Sequence, residues 1–389
     1  MSSAASWKAT LAATPLAAIE QLVLRASREI QPLAALTPLD VASERARLAA
    51  ELQAGRSALP RWSYAPRDHL ELRRALDAAE RVLAGPPNGT IRALYLARVR
   101  ELSIEAALCE AAGSRAVAEL AAARFAPIDP SVCDAATQLC TKWLGEPVRA
   151  SATPLVRSDD SADPRSLLSR MREAVGRRKL PFAVQTARAL APLAATGDAT
   201  IFVAVGRHLD EEDTARTVLH EIDGHACPRA RARRASLALF RAGTARGVDD
   251  QEGRALLFEE RAGLLGPRRR RQLAVRHRAV QRMLAGASYA DVAWMLVREH
   301  GVEPLDAVIV AERAFRGCDG TRPGLGRERV YIEGLVRVRA HLTAHPEDER
   351  VLGCGQVAVD ASHVLRPFVE READWNERSA RRGPRDDAA

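Results

Sequence analysis

The sequence predicts a mainly α-helical protein with a small β-sheet, an α+β chain in which one strand feeds one unusual helix. Three observations lead there. Apolar residues make up 47% of the 389 and charged residues 28%, a globular balance that excludes wholesale disorder. Aromatics are only 4%, so the core must be built from Leu, Ala and Val, and the abundance of Ala, Leu, Arg and Glu favours helix. The clearest strand is Thr200–Val205 (TIFVAV), rich in β-branched residues.

In chain order, residues 1–60 read as Ala/Leu-rich helical material, split into two helices near Pro32 and Pro38. Asp68–Leu83 spaces its Leu and Val residues by three and four, which gives one apolar helical face. Gly85-Pro86-Pro87-Asn88-Gly89 is a breaker, after which Ile91–Ala112 resumes an amphipathic pattern and Ser131–Leu144 gives a shorter helix. After the strand come Asp210, Glu211, Glu212 and Asp213, acids suited to a helix N-terminus through the macrodipole, and then Thr214–Glu221. Arg254–Leu265, Arg270–Leu284, Tyr289–His300 and Pro304–Phe315 continue the helical pattern, and the last dozen residues read as a solvated, frayed tail. The expected division is an N-terminal helical segment (1–60), a central domain (61–345), and a C-terminal helical extension with its tail (346–389).

The net charge of +8 raises the question of nucleic acid, but all except three of the 58 basic residues are arginine (the lysines are Lys8, Lys142 and Lys179). The one dense basic run, Arg268–Arg271, has no interleaved aromatics for base stacking, so no nucleic-acid partner is expected. Six scattered cysteines without a C-x-x-C pair form neither a disulfide framework nor a thiolate metal site. The apolar stretch Thr10–Ile19 is broken by Pro15 and is no signal peptide, and no window approaches a membrane span. A cytoplasmic protein without a membrane partner is the expectation; oligomeric state is not legible.

The chemistry concentrates in His220-Glu221-Ile222-Asp223-Gly224-His225. A catalytic zinc takes three nitrogen or oxygen ligands from the protein and keeps a position for water. In the usual H-E-x-x-H motif the histidines stand four apart on one helical face. Here they stand five apart, which in a regular α-helix rotates the second imidazole away from the first. Gly224 permits a break, and a π-type turn brings residues five apart onto one face, so the helix is expected to end or widen there. Glu252, 27 residues after His225 and on the next major helix, is placed to supply a carboxylate ligand. Glu259, two turns later on the same face, is a candidate to support a ligand from behind.

These blocks resemble the metallopeptidases with a Q-E-G-L-A motif, a family that includes the microtubule-associated tyrosine carboxypeptidases. H-E-I-D-G-H is similar to its H-E-x-x-x-H, and Gln251-Glu252-Gly253-Arg254-Ala255 to Q-E-G-L-A. Arg313-Ala314-Phe315-Arg316-Gly317 resembles R-x-x-R-G, and Arg327 through Gly334 (RERVYIEG) resembles K-D-x-x-Y-x-x-G. The match in order and spacing spans roughly residues 60–345. Two departures stand out: Arg254 in place of Leu, and Arg327-Glu328 in place of Lys-Asp, the second of which bears on substrate recognition because Arg and Lys differ at an anion site.

The resemblance implies a zincin-like metallopeptidase core, with Zn2+ held by His220, His225 and Glu252 and with Glu221 as general base. Tyr331 is a candidate donor to a tetrahedral oxyanion. Arg313, Arg316 and Arg327 are candidates for a substrate's free carboxylate, which a forked guanidinium suits. The implied activity is metallocarboxypeptidase hydrolysis at the C-terminus of a peptide or protein. Manganese or iron also fits a two-His, one-carboxylate set. An endopeptidase, an amidase, or a non-catalytic binding protein on the same fold remain as alternatives.

Overall fold

A computed structural model describes residues 15–86, 89–127, 129–148, 153–188 and 190–369. The frayed tail lies outside these residues, as do the first residues of the Thr10–Ile19 stretch. The described chain is mainly helical, with two small sheets rather than one.

The N-terminal region is three helices, not two: α1 (Pro15–Glu29), the single turn α2 (Pro32–Ala35) and α3 (Val41–Gln53). The extra turn forms because Pro32 sits at its first position, where a missing N–H costs nothing. There follow α4 (Leu70–Ala84), α5 (Thr90–Glu110), α6 (Ala116–Arg124) and α7 (Pro130–Leu144), the last capped by the Asp129 side chain. The middle of the chain holds β1 (Val156–Arg157), α8 (Leu167–Arg177), β2 (Ala183–Ala187), β3 (Ala194–Thr196), β4 (Thr200–Ala204) and β5 (His208–Leu209). Then come α9 (Glu211–Leu219), a π-helical segment (His220–Ala226), α10 (Cys227–Ala232), α11 (Ala238–Ala242) and α12 (Gly247–Arg261). The remainder is α13 (Pro267–Leu284), α14 (Tyr289–His300), α15 (Pro304–Phe315), a 3-10 turn at Arg327–Arg329, α16 (Val330–Ala344) and α17 (Glu349–Leu352).

These elements group into two compact units, each assembled from separated stretches of chain. The first comprises residues 1–88, 95–150 and 265–336; the second 89–94, 151–264 and 337–389. Neither is contiguous in sequence.

The first unit is helical. Leu48 of α3, Val280 and Met283 of α13, Val292 and Leu296 of α14, and Val308 and Phe315 of α15 close its main core. Each such fully buried side chain contributes on the order of 1.5–3 kcal/mol. The loop after α15 is drawn tightly against that helix: Leu325 N–H donates to Arg316 O (2.8 Å) and Gly326 N–H to Ala314 O (3.1 Å). A β-carbon at Gly324 would fall 2.3 Å from the Phe315 carbonyl carbon, so only glycine lets the chain pass.

The second unit is α+β. Its three-stranded sheet has the order β2-β4-β3, with β2 parallel and β3 antiparallel to the central β4. β4 alternates its burial, and Ile201 and Val203 pack with Leu167, Leu168 and Met171 of α8 and with Ile222 of the π-helical segment. That packing fixes the segment against the sheet. β2 (AVQTA) and β3 (AAT) carry little β-propensity of their own and form by pairing with β4, which is why β4 alone stood out in the sequence. β1 and β5 make a second, two-stranded antiparallel sheet. Among the described residues no helix is long and apolar enough to cross a membrane.

Candidate metal centre

Asp210 caps α9, its side chain accepting from Asp213 N–H, and Glu211, Glu212 and Asp213 fill the first turn where negative charge is favoured. The rod runs on from α9 through seven π-helical residues into α10. In the wider π turn the i→i+5 bond brings residues five apart toward one face. His220 and His225 accordingly face each other, with ring centroids 5.0 Å apart. Gly224 lies against α12: a β-carbon there would sit 2.6 Å from the Ala255 Cβ. The missing side chain lets the two helices approach closely enough for residues on α12 to reach both imidazoles.

Glu252 projects from α12 between the two rings. Its Oε2 is 3.5 Å from His220 Nε2 and 3.8 Å from His225 Nε2, and one ligand atom from each residue lies within 4.8 Å of the others. Donors about 2.0–2.1 Å from a tetrahedral ion stand about 3.4 Å apart, so the set is spaced for a small divalent cation.

The tautomers agree. His220 Nδ1 lies 2.7 Å from Glu259 Oε1, a fully buried carboxylate, and His225 Nδ1 lies 3.0 Å from Gln251 Oε1. Both partners are acceptors, so a hydrogen at each Nδ1 satisfies them, and loss of the Nε2 proton to a bound cation would leave Nε2 as the donor atom, the arrangement that second partners favour on metal-ligating histidines. Gln251 is itself held, its Nε2 donating to Gly355 O (3.3 Å). Burial pushes the His220 imidazolium down, but Glu252 and Glu259 outweigh it and raise the pKa to about 9. A site that concentrates this much negative charge on a buried imidazole suits a cation. Two nitrogens and one carboxylate oxygen suit zinc, and also manganese or iron.

Glu221, the residue after the first histidine, is 7% exposed. Thr196 on the edge strand β3 donates its hydroxyl to Glu221 Oε2 at 2.7 Å and thereby orients one carboxylate oxygen. A carboxylate oriented in this way can act as a proton acceptor.

Three site residues are thus brought together in the second unit, His220, His225 and Glu252, and Glu221 follows the first of them in sequence. The other four belong to the first unit. Arg313, at the end of α15, pairs with Glu328 (Nε to Oε1, 3.0 Å), and Arg316 follows one turn later, 7% exposed. Arg327 lies over the Tyr331 ring, 5.7 Å from its centroid, with Nη1 3.4 Å from the Tyr331 hydroxyl. Sequence reasoning gave no supporting role to Thr196 or to Gln251. Gln251 was legible, being part of the Gln-Glu-Gly block. Thr196 had no signal, because its role comes from strand pairing.

Glu259→Gln is expected to weaken metal affinity about 10- to 100-fold, since a carboxamide is a poorer acceptor for the His220 N–H. Competition with a chelator of known affinity measures this, and unchanged affinity would show that Glu259 does not support His220.

A family model described as microtubule-associated tyrosine carboxypeptidase matches residues 51–375. No curated protein matches the chain.

Proposed function

Because the chain belongs to the microtubule-associated tyrosine carboxypeptidase family, we propose that it is a zinc-dependent carboxypeptidase that removes a residue from the C-terminus of a peptide or protein. The observation that carries the metal-dependent part is the convergence of His220 Nε2, His225 Nε2 and Glu252 Oε2, with both Nδ1 atoms already engaged. Six cysteines that form no disulfide suit a reducing compartment such as the cytoplasm.

In this reading His220, His225 and Glu252 hold the ion, which when bound acidifies a water and polarises a carbonyl. Glu221 takes the proton from that water and returns it to the leaving amine. Thr196 keeps Glu221 in the orientation this transfer needs. Tyr331 is the proposed donor to the oxyanion, and a guanidinium among Arg313, Arg316 and Arg327 the proposed partner of the terminal carboxylate.

Two measurements test the reading. Elemental analysis is expected to find about one zinc per chain in the wild type and little in His220→Ala or Glu252→Ala. Incubation with peptides ending in Tyr is expected to release free tyrosine, and an amidated C-terminus is expected to block release. Internal cleavage of both peptides would instead indicate an endopeptidase. Absence of metal in the wild type after zinc is supplied would leave the family's fold without this chemistry.

A further inference from the structure

In the first unit, among the described residues, three wholly or partly buried arginines gather around one carboxylate. Arg276 on α13, Arg313 on α15 and Arg316 just beyond it converge on a single carboxylate, Glu328 of the 3-10 turn. Arg313 Nε is 3.0 Å from Glu328 Oε1, whereas Arg276 Nη1 stops 3.8 Å from Oε2, an ion-pair distance too long for a hydrogen bond. Arg316 is 7% exposed, and its Nε has no hydrogen-bond partner among the described residues. The one other carboxylate that acts on Arg316, Glu312, is already engaged by both Nε and Nη2 of Arg45.

Charges taken out of water without a partner are strongly disfavoured. Burial and the neighbouring Arg313 bring Arg276 down to about 9. Folds keep such clusters where a ligand supplies the missing anion, and guanidinium forks match the planar pairs of oxygens on carboxylate and phosphate. Arg276 and Arg313 keep about a fifth and a seventh of their side-chain surface open (22% and 15%), so the cluster is reachable from solvent.

We propose that Arg276, Arg313 and Arg316, arranged around Glu328, form a binding site for one small oxyanion, a carboxylate or a phosphate. As a carboxylate site it rests on the proposed function, which already draws the partner of a terminal carboxylate from Arg313 and Arg316; its geometry belongs to the first unit alone. Glu328 is its positioning residue: it pairs with Arg313, keeps Arg276 at ion-pair distance and leaves Arg316 Nε without a hydrogen bond among the described residues. Arg276, absent from every sequence block noted above, is the residue that distinguishes this site from a simple Arg–Glu ion pair.

The test uses the full-length Glu221→Gln protein, so that no probe is hydrolysed, in anion-poor buffer. Inorganic phosphate and acetate are titrated by calorimetry and by thermal shift. At least one is expected to bind saturably with one site per chain and to raise the melting temperature. Adding Arg276→Gln is expected to weaken binding at least tenfold, while Arg282→Gln, which removes an exposed charge from the same helix, leaves it within twofold. Without ligand, the Arg276→Gln protein is expected to melt no lower than its parent, because one excess buried charge is gone; a purely structural arginine would show a fall. Competition by a peptide with a free C-terminus, but not by its amide, makes a polypeptide carboxylate the anion; phosphate binding without such competition makes it a free phosphate. Both support the site. No saturable binding of either anion, or equal losses from Arg276→Gln and Arg282→Gln, overturns it.

Discussion

Glu221→Gln is expected to lower kcat by about two to four orders of magnitude while leaving metal content unchanged. The amide keeps the shape of the side chain and can still accept from Thr196, whose hydroxyl lies 2.7 Å from Glu221 Oε2. It cannot accept a proton from water. The proposed ligand atoms belong to His220, His225 and Glu252, so nothing proposed to hold the ion is removed. Rates of tyrosine release alongside zinc stoichiometry give the comparison. Loss of zinc with activity would make Glu221 part of the ligand set, and full activity with zinc retained would move the base elsewhere.

Glu328→Gln has the largest expected effect on stability. Its carboxylate is 2% exposed and is the anion on which Arg276, Arg313 and Arg316 converge. Removing one member of a buried ion network leaves the others uncompensated, at a cost of about 3–5 kcal/mol. Denaturant unfolding at neutral pH measures the loss. The pH dependence has a definite sign. Burial pushes the Glu328 carboxyl up, but Arg313 and Arg276 outweigh it and hold it down at about 2. A carboxylate depressed in the folded state stabilises fully above its unfolded value, near 4.5, and loses that stabilisation as pH falls toward 2. The gap between wild type and variant is therefore expected to be widest above pH 5 and to narrow in acid. A gap that stays constant with pH would mean that Glu328 acts through packing and not through its charge.

What the sequence made legible follows from which forces are local. The helices on strong three-and-four patterns, such as α4 (Leu70–Ala84) and α14 (Tyr289–His300), lie within a few residues of the predicted spans because the apolar face alone specifies them. The five-residue spacing of His220 and His225 likewise carried its own geometric demand, since a regular α-helix would turn the second ring away. Less accessible were features that need a partner distant in sequence. β3 exists because β4 pairs with it, and Thr196 matters because that pairing sets its hydroxyl against Glu221. Arg276 sits in an arginine-rich helix where nothing local separates it from its neighbours; only the approach of Glu328, 52 positions later, does so.

The interleaving of the second unit has a consequence for how the protein is made. Gln251, which orients His225, is anchored on the Gly355 carbonyl, and Asp250 accepts from Val359 N–H while pairing with Arg337 at 2.6 Å. Gly355 N–H in turn reaches back to the Pro228 carbonyl in α10. A ribosome therefore delivers Asp250 and Gln251 between 87 and 109 residues before the partners that lock them, Arg337, Gly355 and Val359. Until then the nascent chain carries the ligands without their fixed geometry. Contacts this remote in sequence close late and slowly. Shortening the protein from its C-terminal side, even well beyond the last residue of the ligand set, is thus a way to unmake the centre without touching a single donor atom.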